Sequence, residues 1–239
     1  MRQRKAKDLE KRLEECSRFI AEDIGPDRWK DIFDRPGDMY LEIGCGKGQF
    51  IIKKALLDPD NNYIGIEGQE TVILRAAEKA KAVAGLGQWP ENVRGREVFE
   101  GLTGSLDNLR LASCYVNGMD KLFQENSLAG VYLNFSDPWP KARHAERRLT
   151  HRSRLMDYAR SIRDGGFIEF KTDNEGLFEF SIEEFESCSQ TLKIVEFTRN
   201  LHGEDCTFDS ACVTTEYEDK FSGRGKNINY IKVIVNKEK

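Results

Sequence analysis

The sequence predicts an α/β protein with a seven-stranded sheet and helices on both faces. Short apolar segments alternate with segments of helical periodicity over the first five predicted strands, which is typical of a mainly parallel sheet. The glycine-rich loop at 44–48 follows the first strand and leads into a helix, as in doubly wound nucleotide-binding sheets. A buried apolar run at 131–133 stops at the stiff segment Asp137-Pro138-Trp139-Pro140. Ligands of such sheets bind beyond the carboxyl ends of the strands, so Asp137 is expected to face one.

The individual elements follow from hydrophobic patterning and from glycine and proline breaks. Strands are predicted at 39–43, 63–67, 111–116, 131–133, 167–171, 192–197 and 228–235. Helices are predicted at 50–57, 69–84, 149–162 and 175–187. Upstream of the first strand, Leu9, Leu13, Cys16 and Ile20 fall on one helical face.

The chain is predicted to have one main domain with an N-terminal extension. Residues 1–35 form the extension, which is basic and then amphipathic, and residues 36–239 form the domain. The first seven residues carry four cations, which either contact phosphate or form a solvated tail. Residues 85–110 hold five glycines without a clear period, so this stretch is interpreted as an insertion, and the sequence assigns it no function.

Charge is abundant but nearly balanced. Charged residues make up 33% of the 239 residues, and the net charge is −4. This balance argues against a generic nucleic-acid binder, although a local basic face is compatible with it. Such a face is predicted from Lys141, Arg143, Arg147, Arg148, Arg152 and Arg154. The alternative is a solvated basic helix after a capped strand.

The sequence gives little support for a metal site, a paired-cysteine motif or a membrane-spanning segment. The six cysteines form no CxxC pair, so free thiols and no metal are expected. No apolar run reaches the roughly 18 residues that a membrane helix needs, and no signal peptide is recognised. The sequence therefore predicts a protein of the reduced cytoplasm, without a membrane association.

Two acids beside the glycine loop indicate the kind of cofactor. Glu67 ends the second strand, where its carboxylate is placed to bind two ribose hydroxyls. Glu42 precedes the loop, where it would repel a pyrophosphate and favour an amino-acid ammonium group. The loop is GxGxG rather than the GxGxxG of dinucleotide-binding proteins. These details favour S-adenosylmethionine, with an acid paired inside the fold as the alternative for Glu42.

Several motifs together carry a family resemblance. They are EIGCGKGQF at 42–50, GIE at 65–67, YLNFSDPWPKARHAERRLTH at 132–151, FKTDN at 170–174 and TEYEDKFSGRGKNI at 215–228. With these motifs the chain resembles the bacterial-type tRNA (guanine-N7-)-methyltransferases from about residue 38 onward. The resemblance implies the class I S-adenosylmethionine-dependent (Rossmann-like) fold, with residues 36–239 as the methyltransferase domain.

The resemblance also implies roles for residues at the matching positions. S-adenosylmethionine would contact Glu42, Gly44, Gly46, Glu67, Asn117 and Asp137. Asp137 would also be the catalytic residue. The tRNA would contact Lys141, Arg143, His144, Arg147, Arg148, Asp173, Thr215, Glu216, Tyr217 and Glu218. No obligatory protein partner is expected, and the chain would be a monomer or a homodimer.

The sequence departs from the family pattern at two positions. Asn117 stands where the family usually has Asp, although its amide oxygen can still accept a hydrogen bond from an adenine amino group. Gly68 stands where a larger residue often packs on the adenine, which removes an apolar contact. Both changes put the strength of cofactor binding in doubt.

The implied chemistry suits these residue types, and other classes of function remain open. Guanine N7 has a lone pair and no proton, so transfer to it needs positioning and a carboxylate for the developing charge rather than a base. Trp139 either stacks on a base or anchors the core. A methyltransferase for small molecules, a non-catalytic RNA-binding protein and, least favoured, an NAD-dependent dehydrogenase are the alternatives.

Overall fold

The computed structural model describes residues 7–91 and 93–237, so most of the basic N-terminus lies outside the described residues. Seven strands form a mixed sheet, as the sequence predicts. The chain divides into two compact units, Met1–Val116 and Asn117–Lys239. Within the described ranges, no helix is long and apolar enough to cross a bilayer.

The first unit contains three parallel strands in the order β3-β2-β1. Their side chains are mostly buried, as expected for parallel strands covered on both faces. The strands are β1 (Met39–Ile43), β2 (Asn62–Glu67) and β3 (Leu109–Ser113). The helices are α1 (Leu9–Glu14), α2 (Trp29–Phe33), α3 (Gln49–Leu57) and α4 (Glu70–Val83), with a 3-10 turn at Glu97–Phe99.

The upstream segment pairs with the sheet instead of remaining helical. The helix on the predicted apolar face ends at Glu14, and Ile20 forms a parallel bridge with Leu111. The amide of Leu111 donates to the carbonyl of Phe19 at 2.7 Å, and the amide of Ala21 donates to that of Leu111 at 2.8 Å. The prediction of one helical face through Ile20 is therefore wrong, because the unpaired edge of β3 offers hydrogen bonds that periodicity does not reveal.

The second unit contains four strands in the order β4-β5-β7-β6. β4 and β5 are parallel, whereas β7 runs antiparallel to both β5 and β6. The strands are β4 (Leu128–Asn134), β5 (Ile162–Thr172), β6 (Leu192–Thr198) and β7 (Asn229–Val235). The helices are α5 (Arg152–Ser161), α6 (Glu175–Ser187) and α7 (Glu216–Ser222), with 3-10 turns at Met119–Lys121, Ala142–Arg147 and Asp209–Cys212.

Several details of the elements differ from the sequence prediction. Helix α5 begins at Arg152 rather than at 149, and β4 spans Leu128–Asn134 rather than 131–133. β3 ends at Ser113 rather than at 116, and β5 begins at Ile162 rather than at 167. The early part of β5 is irregular, because its register with β4 shifts between Leu128 and Gly130. Helix α7 was not predicted. Its seven residues are too few for a periodic signal, and the helix is fixed by the tertiary contact of Glu218 with Lys171.

Gly65 gives a test of packing in the first unit. An added Cβ would lie 2.8 Å from Cδ2 of Leu111 and 3.0 Å from Sγ of Cys45. We expect Gly65→Ala to lower the free energy of unfolding by about 1–3 kcal/mol, measured by urea denaturation. Gly25→Ala is the control, because its Cβ would lie 3.7 Å from the nearest atom. Equal stability of the two variants would contradict the packing argument.

Candidate functional site

The glycine loop of the first unit forms an open cradle of backbone. Gly44 and Gly46 have φ angles of 76° and 55°, and a Cβ added at either position would meet nothing within 4 Å. The amides of Gly44 and Cys45 donate to the carbonyl of Ile66 at 2.8 and 3.0 Å, which ties the loop to the end of β2. The left-handed backbone needs glycine, and the open side lets a ligand approach the main chain closely.

Glu67 is fixed beside this loop. One carboxylate oxygen accepts from the amide of Gly46 at 3.2 Å, and the other accepts from the amide of Gln69 at 3.1 Å. Each oxygen has a second lone pair, so a pair of neighbouring hydroxyls can still donate to the carboxylate. The backbone bonds therefore fix the orientation of the Glu67 carboxylate beside the loop.

The surroundings of the loop are acidic. Glu42 is 1% exposed, which fits both a ligand for a cation and an acid paired inside the fold. Burial raises the pKa of the Cys45 thiol well above its ordinary value, and the carboxylates of Glu42 and Glu67 raise it further. The thiol is therefore neutral, and Glu42 and Glu67 are acids close enough to Cys45 to affect its pKa.

Sequence reasoning missed one residue near this loop. Tyr115 follows β3, is 68% exposed, and lies directly against Gly68. An aromatic residue just after a strand of the nucleotide-binding half was the available signal. Asn117, which the sequence places at the end of the third strand, lies four residues beyond it and is exposed in the second unit.

In the second unit, Asp137 stands on a strained segment after β4. Phe135 and Trp139 have positive φ angles of 50° and 40°, which cost free energy in residues other than glycine. Asp137 between them is exposed. The hydroxyl oxygen of Ser136 is buried without a hydrogen-bond partner among the described residues. Strain and an unsatisfied hydroxyl beside an exposed acid are typical of a functional site.

The basic run at residues 141–154, which follows the Asp137 segment, serves two purposes. Arg148 donates to the carbonyls of Pro138 and Trp139 at 3.1 and 3.0 Å, so it holds the strained segment in place. The guanidinium of Arg147 lies 4.9 Å from the centroid of the Trp139 ring, and His144 contacts the same ring edge-on at 5.6 Å. Lys141 and Arg143 are exposed. Arg147 is exposed as well, so these three cations, rather than the half-buried Arg148, are the most accessible to a polyanion.

A buried ion pair organises the segment before α7. Lys171 and Glu218 are 1% and 0% exposed in their side chains and lie 3.3 Å apart. The ammonium of Lys171 also donates to the carbonyls of Ser210 and Val213 at 2.6 and 3.0 Å. His202 contacts the Glu218 carboxylate at 2.8 Å. A charge removed from water in this way needs all these partners.

Glu218 also completes a capping box at the start of α7. The Thr215 hydroxyl accepts from the amide of Glu218 at 3.0 Å, and the Glu218 carboxylate accepts from the amide of Thr215 at 3.3 Å. Both side chains are thus engaged within the protein. The structure therefore gives Glu218 no exposed surface for a substrate, and direct contact of Thr215 and Glu218 with tRNA stays a prediction.

Tyr217 and Asp173 lie at the surface of the same region, where Tyr217 is exposed and the Asp173 side chain is 13% exposed. The Tyr217 ring packs on Phe135 with centroids 5.0 Å apart and on Phe221 at 4.2 Å. Asp173 lies 3.2 Å from the ammonium of Lys226, and these two residues line an open cleft of about 720 Å³. Glu216 opens α7 beside Tyr217. The structure thus brings Asp173, Tyr217 and the Phe135 end of the strained segment together.

Solved structures with this fold are methyltransferases. The crystal structure of the 16S rRNA methyltransferase KamB has a TM-score of 0.60 and 10% identity, and the alignment covers 90% of this chain and 96% of that chain. The structure of an antibiotic-related methyltransferase has a TM-score of 0.56 and 15% identity, with 91% and 96% covered. The fold is that of the class I methyltransferases, which confirms the predicted fold class.

Sequence comparison gives the family. A family model described as "Putative methyltransferase" matches residues 37–231. Three relatives are named tRNA (guanine-N(7)-)-methyltransferase. That of Lysinibacillus sphaericus is 44% identical over 84% of this chain and 81% of its own. That of Leuconostoc mesenteroides is 40% identical over 86% and 84%, and that of Alkaliphilus oremlandii is 37% identical over 95% and 96%. The chain belongs to the tRNA (guanine-N7-)-methyltransferase family.

The buried ion pair can be tested by stability. We expect Glu218→Ala to lower the free energy of unfolding by about 3–5 kcal/mol, because Lys171 would keep a buried charge without its carboxylate. Urea denaturation followed by circular dichroism measures the change.

The matched control is the exposed ion pair between Arg199 and Glu179, whose side chains are 52% and 54% exposed. Glu179→Ala should cost less than about 1 kcal/mol. The double variant Lys171→Met/Glu218→Leu should recover part of the loss. A cost for Glu218→Ala no larger than that for Glu179→Ala would refute the assigned role.

Proposed function

We propose that this protein transfers a methyl group from S-adenosylmethionine to N7 of a guanine in tRNA. The observation that carries the proposal is Asp137, an exposed carboxylate on a strained segment that is followed by exposed cations. This arrangement suits a reaction that develops positive charge on a base attached to a polyanion. The names of the relatives supply the substrate and the position of methylation.

The first unit fits the methyl donor. The open cradle at Gly44 and Gly46 admits a ligand against the main chain, and Glu67 is oriented for a ribose diol. The acidic field around Cys45, to which Glu42 contributes, suits the ammonium and sulfonium charges of S-adenosylmethionine. When bound, that molecule supplies an electrophilic methyl group whose sulfur leaves with the bonding electron pair. Asn117 is exposed and can offer its amide to the adenine.

The protein's contribution to the transfer is positioning and charge stabilisation. Guanine N7 bears no proton, so no residue has to remove one. Asp137 accepts hydrogen bonds from the guanine edge and offsets the positive charge that the ring gains. The strained backbone and the Arg148 contacts hold this carboxylate still, so little reorganisation is needed during transfer.

The second unit supplies the RNA contacts. Lys141 and Arg143 are exposed and bind phosphates, which makes tRNA binding sensitive to salt. Asp173 lines the open cleft, the Tyr217 hydroxyl lies 3.5 Å from its carboxylate, and we expect both of them, together with Glu216, to contact the substrate. Thr215 and Glu218 act by fixing the start of α7. In the same way, His144 and Arg148 act through the Trp139 segment, whereas Arg147 is exposed beside the Trp139 ring and also binds phosphate.

The direct test is the identity of the methylated nucleoside. The purified protein is incubated with methyl-labelled S-adenosylmethionine and unmodified bulk tRNA, and the RNA is then digested. We expect the label in 7-methylguanosine alone. Label in another nucleoside would refute the N7 assignment. Absence of label from tRNA would refute the proposed reaction and favour a small-molecule substrate or a non-catalytic role.

Asp137→Asn tests the catalytic residue. The substitution keeps the size and removes the charge, so we expect kcat to fall by about a hundredfold or more. Retention of tRNA on a filter should remain within about twofold of the wild type, because phosphate contacts dominate affinity. Glu146→Gln, another exposed acid on the following turn, is the control and should keep its activity. Equal activity of both variants would exclude the role of Asp137.

A further inference from the structure

The Tyr115 ring lies directly against the backbone of Gly68. A Cβ built on Gly68 would lie 2.3 Å from Cε1, 2.6 Å from Cζ and 2.7 Å from Cδ1 of Tyr115. Carbon atoms in proteins do not approach one another so closely. The ring therefore occupies the space that any side chain at position 68 would need.

The backbone does not explain the glycine. Gly68 is absent from the residues with positive φ, so alanine or a larger residue is compatible with its conformation. No atom other than those of the Tyr115 ring is among its three nearest neighbours. Glycine at 68 and tyrosine at 115 therefore form a matched pair, in which one residue makes room for the other.

Tyr115 is also unusually open for an aromatic residue. Its exposure of 68% is the highest among the exposed large hydrophobic residues, followed by Leu57 at 52%. The ring is held on one side by Gly68 and is open to solvent on the rest of its surface. An exposed aromatic ring can supply apolar area and a stacking surface to a ligand.

The position of the pair indicates which part of a ligand is contacted. Gly68 directly follows Glu67, whose carboxylate is oriented for a ribose diol. Gly68, and with it the Tyr115 ring, is therefore next to the place where such a ribose and its base would bind. With Gly68 itself offering no side chain, the Tyr115 ring is the apolar surface available to the base.

We propose that Tyr115 packs on the adenine of the methyl donor and replaces the side chain that Gly68 lacks. This inference rests on the proposed cofactor, and it adds a binding residue to it. The Tyr115 ring supplies the stacking surface, and the absence of a side chain at Gly68 leaves the space that the ring occupies. Each residue therefore depends on the other. The apolar contact that is missing at Gly68 is thus supplied by Tyr115, which follows a different strand, β3.

The test is calorimetric binding of S-adenosylhomocysteine, which shares the adenosine and cannot be turned over. Tyr115→Ala should weaken binding about tenfold, or about 1.4 kcal/mol, whereas Tyr115→Phe should stay within about twofold because the ring is kept. Gly68→Ala should weaken binding by displacing the ring. In the Tyr115→Ala background, Gly68→Ala should cost nothing further.

Controls separate the possible failures. Leu57→Ala removes another exposed apolar side chain, at the C-terminal end of α3, and should leave the affinity for S-adenosylhomocysteine unchanged. Unliganded melting temperatures of all variants should match, because Tyr115 is largely exposed.

Wild-type affinity in Tyr115→Ala, or additive effects of the two substitutions, would overturn the inference about Tyr115 but would not affect the proposal that S-adenosylmethionine is the cofactor. If Tyr115→Ala loses tRNA retention instead of cofactor affinity, Tyr115 contacts the RNA and not the adenine. Absence of binding by the wild type would overturn the proposed cofactor together with the inference.

Discussion

The second unit depends on the buried pair of Lys171 and Glu218. The ammonium holds the carbonyls of Ser210 and Val213, and the carboxylate closes the capping box of α7. One pair thus joins the end of β5 to the loop before α7 and to α7 itself. A pair so fully buried contributes geometry more than net stability, since desolvation offsets most of its Coulomb energy. What it secures is the position of Tyr217 beside Asp173 and Phe135.

The Asp137 segment is also held in place by internal contacts, although different groups make them. Its backbone is strained at Phe135 and Trp139, and Arg148 offsets that strain by bonding two carbonyls of the segment. Arg147 and His144 then cover the Trp139 ring. Arg148 is therefore an internal support. A count of positive charge overstates the surface left for phosphate, for which Lys141, Arg143 and Arg147 remain.

Much of the fold could be predicted because its signals are local. β1 and α6 have the predicted bounds, and α4 differs by one residue at each end, since apolar periodicity and glycine breaks mark them directly. The missed features depend on distant partners. The bridge of Ile20 needs the edge of β3, the early start of β5 needs the shifted register with β4, and α7 needs Lys171.

The sequence by itself determined the chemistry that is available: the glycine loop, the acids at 42 and 67, the Asp137 segment and the family. Only the tertiary structure decided which side chains are free to use that chemistry. Glu218 and Arg148 bear charges that the sequence presents as substrate contacts, yet the fold gives both of them internal partners. Tyr115, which no motif contains, is left open beside Gly68. The reason is physical, because exposure and pairing arise from neighbours far apart in the chain, while a motif records only residue type and spacing.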